Sequence, residues 1–242
     1  MPGASTDALV LKLKKNSRLD QDDVLAIERL PIKIKRIAAH HYFVREGERP
    51  SESCLIIEGF AFRSKLTPDG VRQILSIQIP GDIPDLQSLH LHVMDHDLTT
   101  LSDCTLGFIQ HDALRELIRQ RANVSAALWR ETLIDGAIFR EWIANVGCRP
   151  ALPRMAHLLS EIHARLEMIG RTANGSFELP ITQVELADCL GLSIVHANRT
   201  LQQLRHEGFV ATERKNYHLL EKTRLEELGQ FDPTYLHQNP SL

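Results

Sequence analysis

Residues 181–210, ITQVELADCLGLSIVHANRTLQQLRHEGFV, restrict the possible folds of this chain more than any other stretch. Thr182 and Glu185 make the T-x-x-E pattern that caps a helix start. Leu186, Ala187 and Leu190 give that short helix one apolar face. Gly191 breaks it, Leu192 plugs the turn, and Ser193 caps a second helix. The apolar positions of the second helix are Ile194, Ala197, Leu201 and Leu204, at helical spacing. Its other face shows Val195, His196, Asn198, Arg199, Gln202 and Gln203, with no acid before Glu207. A short helix, a glycine turn and a second helix with an acid-free outer face make a helix-turn-helix.

That outer face carries chemistry suited to duplex DNA. Arg199 can donate two parallel hydrogen bonds to guanine, Asn198 can pair with adenine, and Val195 can meet a thymine methyl. His196 and Gln202 can donate to bases or phosphates. Gln183, at the N-terminus of the first helix, is placed to touch a phosphate. Phe209–Thr212 and Tyr217–Leu220 read as two strands around the basic turn Arg214-Lys215-Asn216. This wing, with Ser193, would position the DNA backbone. A solvated helix pair that binds no DNA is the competing reading; the turn glycine and the wing weigh against it. Overall charge does not help, because 28 Lys and Arg face 31 Asp and Glu. Base readout should therefore matter more than bulk attraction.

Upstream, Ala39–Gln110 consists of short apolar runs between turn residues. Gly47, Gly59, Gly70 and Gly81 are 12, 11 and 11 residues apart. Strands at this spacing suggest a roll, sandwich or barrel. Thr67-Pro68-Asp69-Gly70 suits a type I turn and predicts a hairpin with arms near 60–66 and 71–79. A single helix is expected over 111–145. One stripe is Ile118, Ala122, Ala126, Trp129, Leu133 and Ala137; a second is Ile134, Ile138 and Trp142. A helix apolar on two sides must be covered on two sides. Either one stripe meets a twin helix from a second chain, or both are core of a monomer. Gly147-Cys148-Arg149-Pro150 marks a hinge, and Ala151–Met168 reads as another helix. The expected domains are 1–110, a dimerisation helix 111–147, and 148–242. The fold class is α+β: an N-terminal double-stranded β-helix of jelly-roll type, a long helix, and a winged helix-turn-helix.

With these features in order, nearly the whole chain resembles the cAMP receptor protein and fumarate-nitrate regulator (Crp–Fnr) superfamily of bacterial transcription regulators. The carrying residues are the spaced glycines ending in Gly81-Asp82, the Gly147-Cys148-Arg149 hinge, and residues 181–210. Val195-His196-Ala197-Asn198-Arg199 resembles a subgroup whose recognition helix opens V-H-x-N-R. The resemblance implies a cytoplasmic homodimer on a two-fold operator in double-stranded DNA, working with RNA polymerase. It also implies that the roll receives a signal, here an unknown small-molecule effector.

Departures from the family bear on that signal. Cyclic-nucleotide-binding members hold the phosphate with an Arg-Ser or Arg-Thr pair, where this chain has Met94-Asp95. From Gly81 through Asp103 there are five acids and no Lys or Arg, a poor setting for a phosphodiester. Tight cAMP or cGMP binding is therefore not expected. No cysteine precedes Cys54, which argues against the N-terminal iron–sulfur cluster of other members. Cys54, Cys104, Cys148 and Cys189 are widely spaced and read as buried thiols. His90, His92 and His96 could in principle build a metal site, as in a cupin-like enzyme. The cupin glutamate and glycine spacing are missing, and a pH-sensitive surface loop is the favoured reading. No cofactor, catalytic site, signal peptide or membrane span is expected. The alternatives that stay open are a cupin-like metal-dependent enzyme and a cyclic-nucleotide sensor with an atypical pocket.

Overall fold

Two helices, α1 (Asp7–Asn16) and α2 (Gln21–Glu28), open the computed structural model, which describes residues 5–238. Seven strands follow: β1 (Ile32–Ile37), β2 (Tyr42–Val44), β3 (Glu52–Glu58), β4 (Ala61–Leu66), β5 (Arg72–Gln78), β6 (Asp97–Thr100) and β7 (Cys104–Gln110). They form two sheets, ordered β1-β7-β3 and β2-β6-β4-β5. The pairings β1–β7, β3–β7, β2–β6 and β4–β6 are antiparallel. This is the expected roll, with β1 added upstream of its expected start. The hairpin turn closes through Gly70 N–H donating to Thr67 O at 2.9 Å.

One apolar cluster fills the roll with Cys54, Ile56, Ala61, Cys104, Leu106 and Phe108. A larger one joins Leu55 and Ile109 of the sheet to Leu9 and Leu13 of α1 and Val24 and Ile27 of α2. Gly81 shows how closely α1 lies. A Cβ there would sit 2.8 Å from the Ala8 carbonyl oxygen, and its φ of +92° is one that side chains disfavour. Lys12 of α1 reaches across to Asp82 at 2.8 Å and Glu131 at 2.5 Å.

The helix expected over 111–145 is two helices, α3 (His111–Gln120) and α4 (Ala122–Cys148). Arg121 between them is extended, with φ −127° and ψ 94°. The break lets two helix faces enter one core, Leu114 and Leu117 from α3 and Val124, Ala127 and Leu128 from α4. The helix also runs through Gly147 to Cys148, beyond its expected end. Cys148 is exposed, unlike the three other thiols, and all four are free.

The remaining elements are α5 (Ala151–Met168), β8 (Thr172–Ala173), β9 (Ser176–Glu178), α6 (Gln183–Leu190), α7 (Ile194–His206), β10 (Val210–Glu213), β11 (Asn216–Leu219) and α8 (Lys222–Gly229). A sheet of order β10-β11-β9-β8 carries the wing. Glu161 of α5 is fully buried and accepts from Trp142 Nε1 at 3.0 Å and from Tyr235 Oη at 2.7 Å.

The compact units differ from the expected domains. One runs to Ser64 and includes Ile77–Gly136; the other joins Lys65–Ser76 to Ala137–Leu236. The stretch 111–147 is divided between the two units after Gly136. The hairpin tip groups with the C-terminal unit.

Candidate nucleic-acid interface

Local chemistry builds the C-terminal reading head as the sequence predicts. Thr182 Oγ1 accepts from Glu185 N–H at 3.2 Å, and Glu185 Oε2 accepts from Thr182 N–H at 2.8 Å. These two bonds satisfy donors at the start of α6 that the helix itself leaves orphaned. Gly191 ends α6 in the left-handed region, φ +59° and ψ 38°. Its N–H and that of Leu192 both donate to Ala187 O. Ser193 Oγ then accepts from His196 N–H at 3.3 Å and starts α7.

The inward face of α7 is Ala197, Thr200 and Leu204, all buried. Thr200 replaces the expected Leu201 and Ile194, because Thr200 Oγ1 satisfies itself on His196 O at 2.9 Å and can be buried. Leu201 is half-buried, and Ile194 is 44% exposed at the start of the outer face. The expected readers share that face. Gln183, Ser193, Val195, His196, Arg199 and Gln202 are exposed, Val195 by 68%. Asn198 is half-buried, and its Nδ2 donates to Gln183 Oε1 at 2.8 Å. The two amides are therefore one unit rather than separate contacts. Ile194 is an apolar surface beside Val195 that the periodicity assigned to the core; no sequence signal marks it otherwise.

The wing follows the expected pairing. Val210 faces Leu219 and Glu213 faces Asn216. Arg214 takes φ +54° at the tip. Phe177 stacks on Tyr217 with ring centroids 5.7 Å apart, fixing the sheet beneath the wing.

The C-terminal end of α6 is held by groups from outside the motif. Arg72 places both Nε and Nη2 at 2.8 Å from Asp188 Oδ2. Gln73 Nε2 donates to Asp188 O at 2.6 Å, and Arg154 Nη1 donates to Leu190 O at 2.5 Å.

On α4 the buried stripe is Ile134, Ile138 and Trp142. The expected partner face separates in two. Ala122, Ala126, Trp129 and Leu133 are exposed, whereas Ala137 is buried in its own chain and Ile118 is half-buried against the N-terminal core. The outward line continues instead through Gly136, Arg140, Ile143 and Gly147. These eight positions alternate spacings of 4 and 3, the seam of a coiled coil. Trp129, Leu133 and Ile143 on it are 65%, 54% and 74% exposed.

In the roll, the cations come from outside the segment 81–103. Arg63 of β4 is 3% exposed, donates to Pro84 O, and lies 2.6 Å from Asp135 Oδ2. Lys12 is taken by Asp82 and Glu131. Burial pushes the carboxyl of Asp85 up to about 7, against a bond from Cys54 N–H at 2.8 Å. His90 and His92 are exposed, while His96 is buried with Nδ1 2.7 Å from Asp95. Among the described residues no group of three or more His, Cys, Asp or Glu could hold a metal ion. Nor is any described helix long and apolar enough to cross a membrane.

Comparison with known proteins matches both parts of the chain. Residues 153–228 match the Crp-like helix-turn-helix domain, and residues 34–121 match the cyclic nucleotide-binding domain. The transcriptional activator protein FnrL of Cereibacter sphaeroides is 25% identical over 207 residues, covering 83% of this chain and 81% of that protein. The nitrogen fixation regulation protein FixK of Bradyrhizobium diazoefficiens is 26% identical over 174 residues, 72% of each. The structure of FixK2 from Bradyrhizobium japonicum superposes with a TM-score of 0.75 at 22% identity, covering 82% of this chain and 98% of that one.

Proposed function

Because this chain belongs to the Crp–Fnr superfamily and is a DNA-binding transcription regulator, we propose that it acts as a homodimer on a two-fold symmetric operator. The observation that carries the reading is the exposed seam of α4. A line of eight positions at 4 and 3 spacing, with three large apolar side chains in water, is the face that a twin helix covers. Two reading heads related by that seam would each enter a major groove, one helical turn apart. Arg199, Val195 and the Gln183–Asn198 pair then read bases. His196 and Gln202 contact bases or phosphates, and Ser193 and the wing position the backbone. RNA polymerase is the further partner of this reading, which assigns the chain no catalytic step.

The signal in this proposal is not a cyclic nucleotide. A phosphodiester in the roll needs a cation, and Arg63 and Lys12 are committed to Asp135, Asp82 and Glu131. Titration calorimetry that gave micromolar cAMP affinity would refute this part.

Selection of random duplex DNA on the purified chain tests the whole. The expected result is an enriched palindrome with half-sites about 10 base pairs apart, centre to centre. A pool without an inverted repeat would refute the dimeric reading.

A further inference from the structure

Arg72, which opens the second arm of the hairpin between β4 and β5, lies 116 residues before the α6 carboxylate that it binds. The last turn of α6 needs that help. It has no basic residue of its own, and it carries Asp188, a negative charge at the negative end of the helix dipole. Arg72 corrects this with a two-pronged contact, Nε and Nη2 each at 2.8 Å from Oδ2. Gln73 satisfies the Asp188 carbonyl, an orphan of the helix end, and its Nε2 is shared with Ile74 O at 2.9 Å. Arg154 satisfies Leu190 O, and the same guanidinium holds Arg149 O at 2.8 Å. The opposite end of α6 carries Gln183, which fixes Asn198 on the recognition helix. Force on one end of this eight-residue helix is therefore felt at the other, where bases are read.

We propose that Arg72 and Gln73 are positioning residues of the DNA-reading head: they set the pose of α6, and through Gln183–Asn198 that of α7, without touching DNA. The proposal rests on the DNA-binding reading above. It makes a hairpin that begins in a strand of the roll's own sheet a working part of DNA recognition.

The test measures operator affinity of the full chain for Arg72→Ala, for Asp188→Asn, and for the reversed pair Arg72→Asp with Asp188→Arg. Each single variant should bind about three- to thirty-fold more weakly. The preferred sequence should not change, and neither should the slope of affinity against salt, since no phosphate contact is lost. The reversed pair should recover most of the loss, and the single variants should keep the melting temperature of the original chain, which a mere folding defect would not allow. Unchanged affinity in both single variants would overturn the proposal, and so would tighter binding, which would make the hairpin a restraint. A salt slope shallower by about one would also overturn it, because Arg72 would then sit on a phosphate. If the unaltered chain binds no operator, the DNA-binding reading falls and this proposal with it.

Discussion

Trp129 offers the sharpest test of the seam. At 65% exposed, it leaves about 160 Å² in water if the whole residue presents roughly 250 Å². Replacing it with alanine would remove about 110 Å² of covered surface from each protomer, or ~220 Å² from a symmetric pair. At ~25 cal/mol per Å² that is about 5 kcal/mol as an upper bound, since area converts poorly to affinity. The dimer dissociation constant should therefore rise between about a hundred- and ten-thousand-fold. Arg140 should behave in the opposite sense. It occupies a seam position where two-fold symmetry brings it near its own copy, so Arg140→Leu removes a like-charge contact and adds apolar surface. That substitution should tighten the dimer by about tenfold or more. Sedimentation equilibrium of the full chain over a range of concentrations measures both. A Trp129→Ala chain that dimerises like the original would refute the seam, and a weaker Arg140→Leu dimer would refute its register.

Arg199→Ala should cost about 1–3 kcal/mol in specific binding and relax one operator position, as read by gel shift against single-base variants. Gln183→Ala and Asn198→Ala should weaken binding at the same base pair, with a double variant no worse than the stronger single one, because one hydrogen bond joins them. Asp85 should make stability fall with pH. Its carboxyl is raised to about 7, so the folded state favours the proton, and that advantage is lost as pH rises from about 4 through about 7. Asp85→Asn should then melt above the original chain at pH 8, by an amount on the order of a few kcal/mol, with the gap closing toward pH 4. A constant gap across that range in thermal melts would contradict the buried carboxylate.

The reading head was legible because its determinants are local. Thr182, Glu185, Gly191 and Ser193 each act within four residues of themselves, and their hydrogen bonds form where the spacing put them. The hairpin was legible for the same reason, through Pro68 and Gly70. What sequence reasoning missed depends on distant partners. Arg121 interrupts a helix with no proline or glycine beside it, and the reason lies in a core that two helix faces share. Ala137 fits the outward stripe by simple counting, but two successive steps of four from Trp129 carry it about 80° around the helix, out of the seam. The cations near 81–103, Arg63 and Lys12, arrive from β4 and α1, far away in the sequence. Nothing near Arg72 announces that its partner is Asp188.

The placement of the two tryptophans gives this chain a built-in optical readout. Trp142 is 5% exposed with its indole N–H on a buried carboxylate, and Trp129 is mostly in water. The sequence contains no other tryptophan. Their emission therefore has two separable origins, a quencher-resistant one from the C-terminal core and a red-shifted, quencher-accessible one from the seam. Covering the seam alters only the second, so a fluorescence spectrum with and without iodide can follow subunit association while the first reports on integrity of the fold. No dye or label has to be attached to either surface.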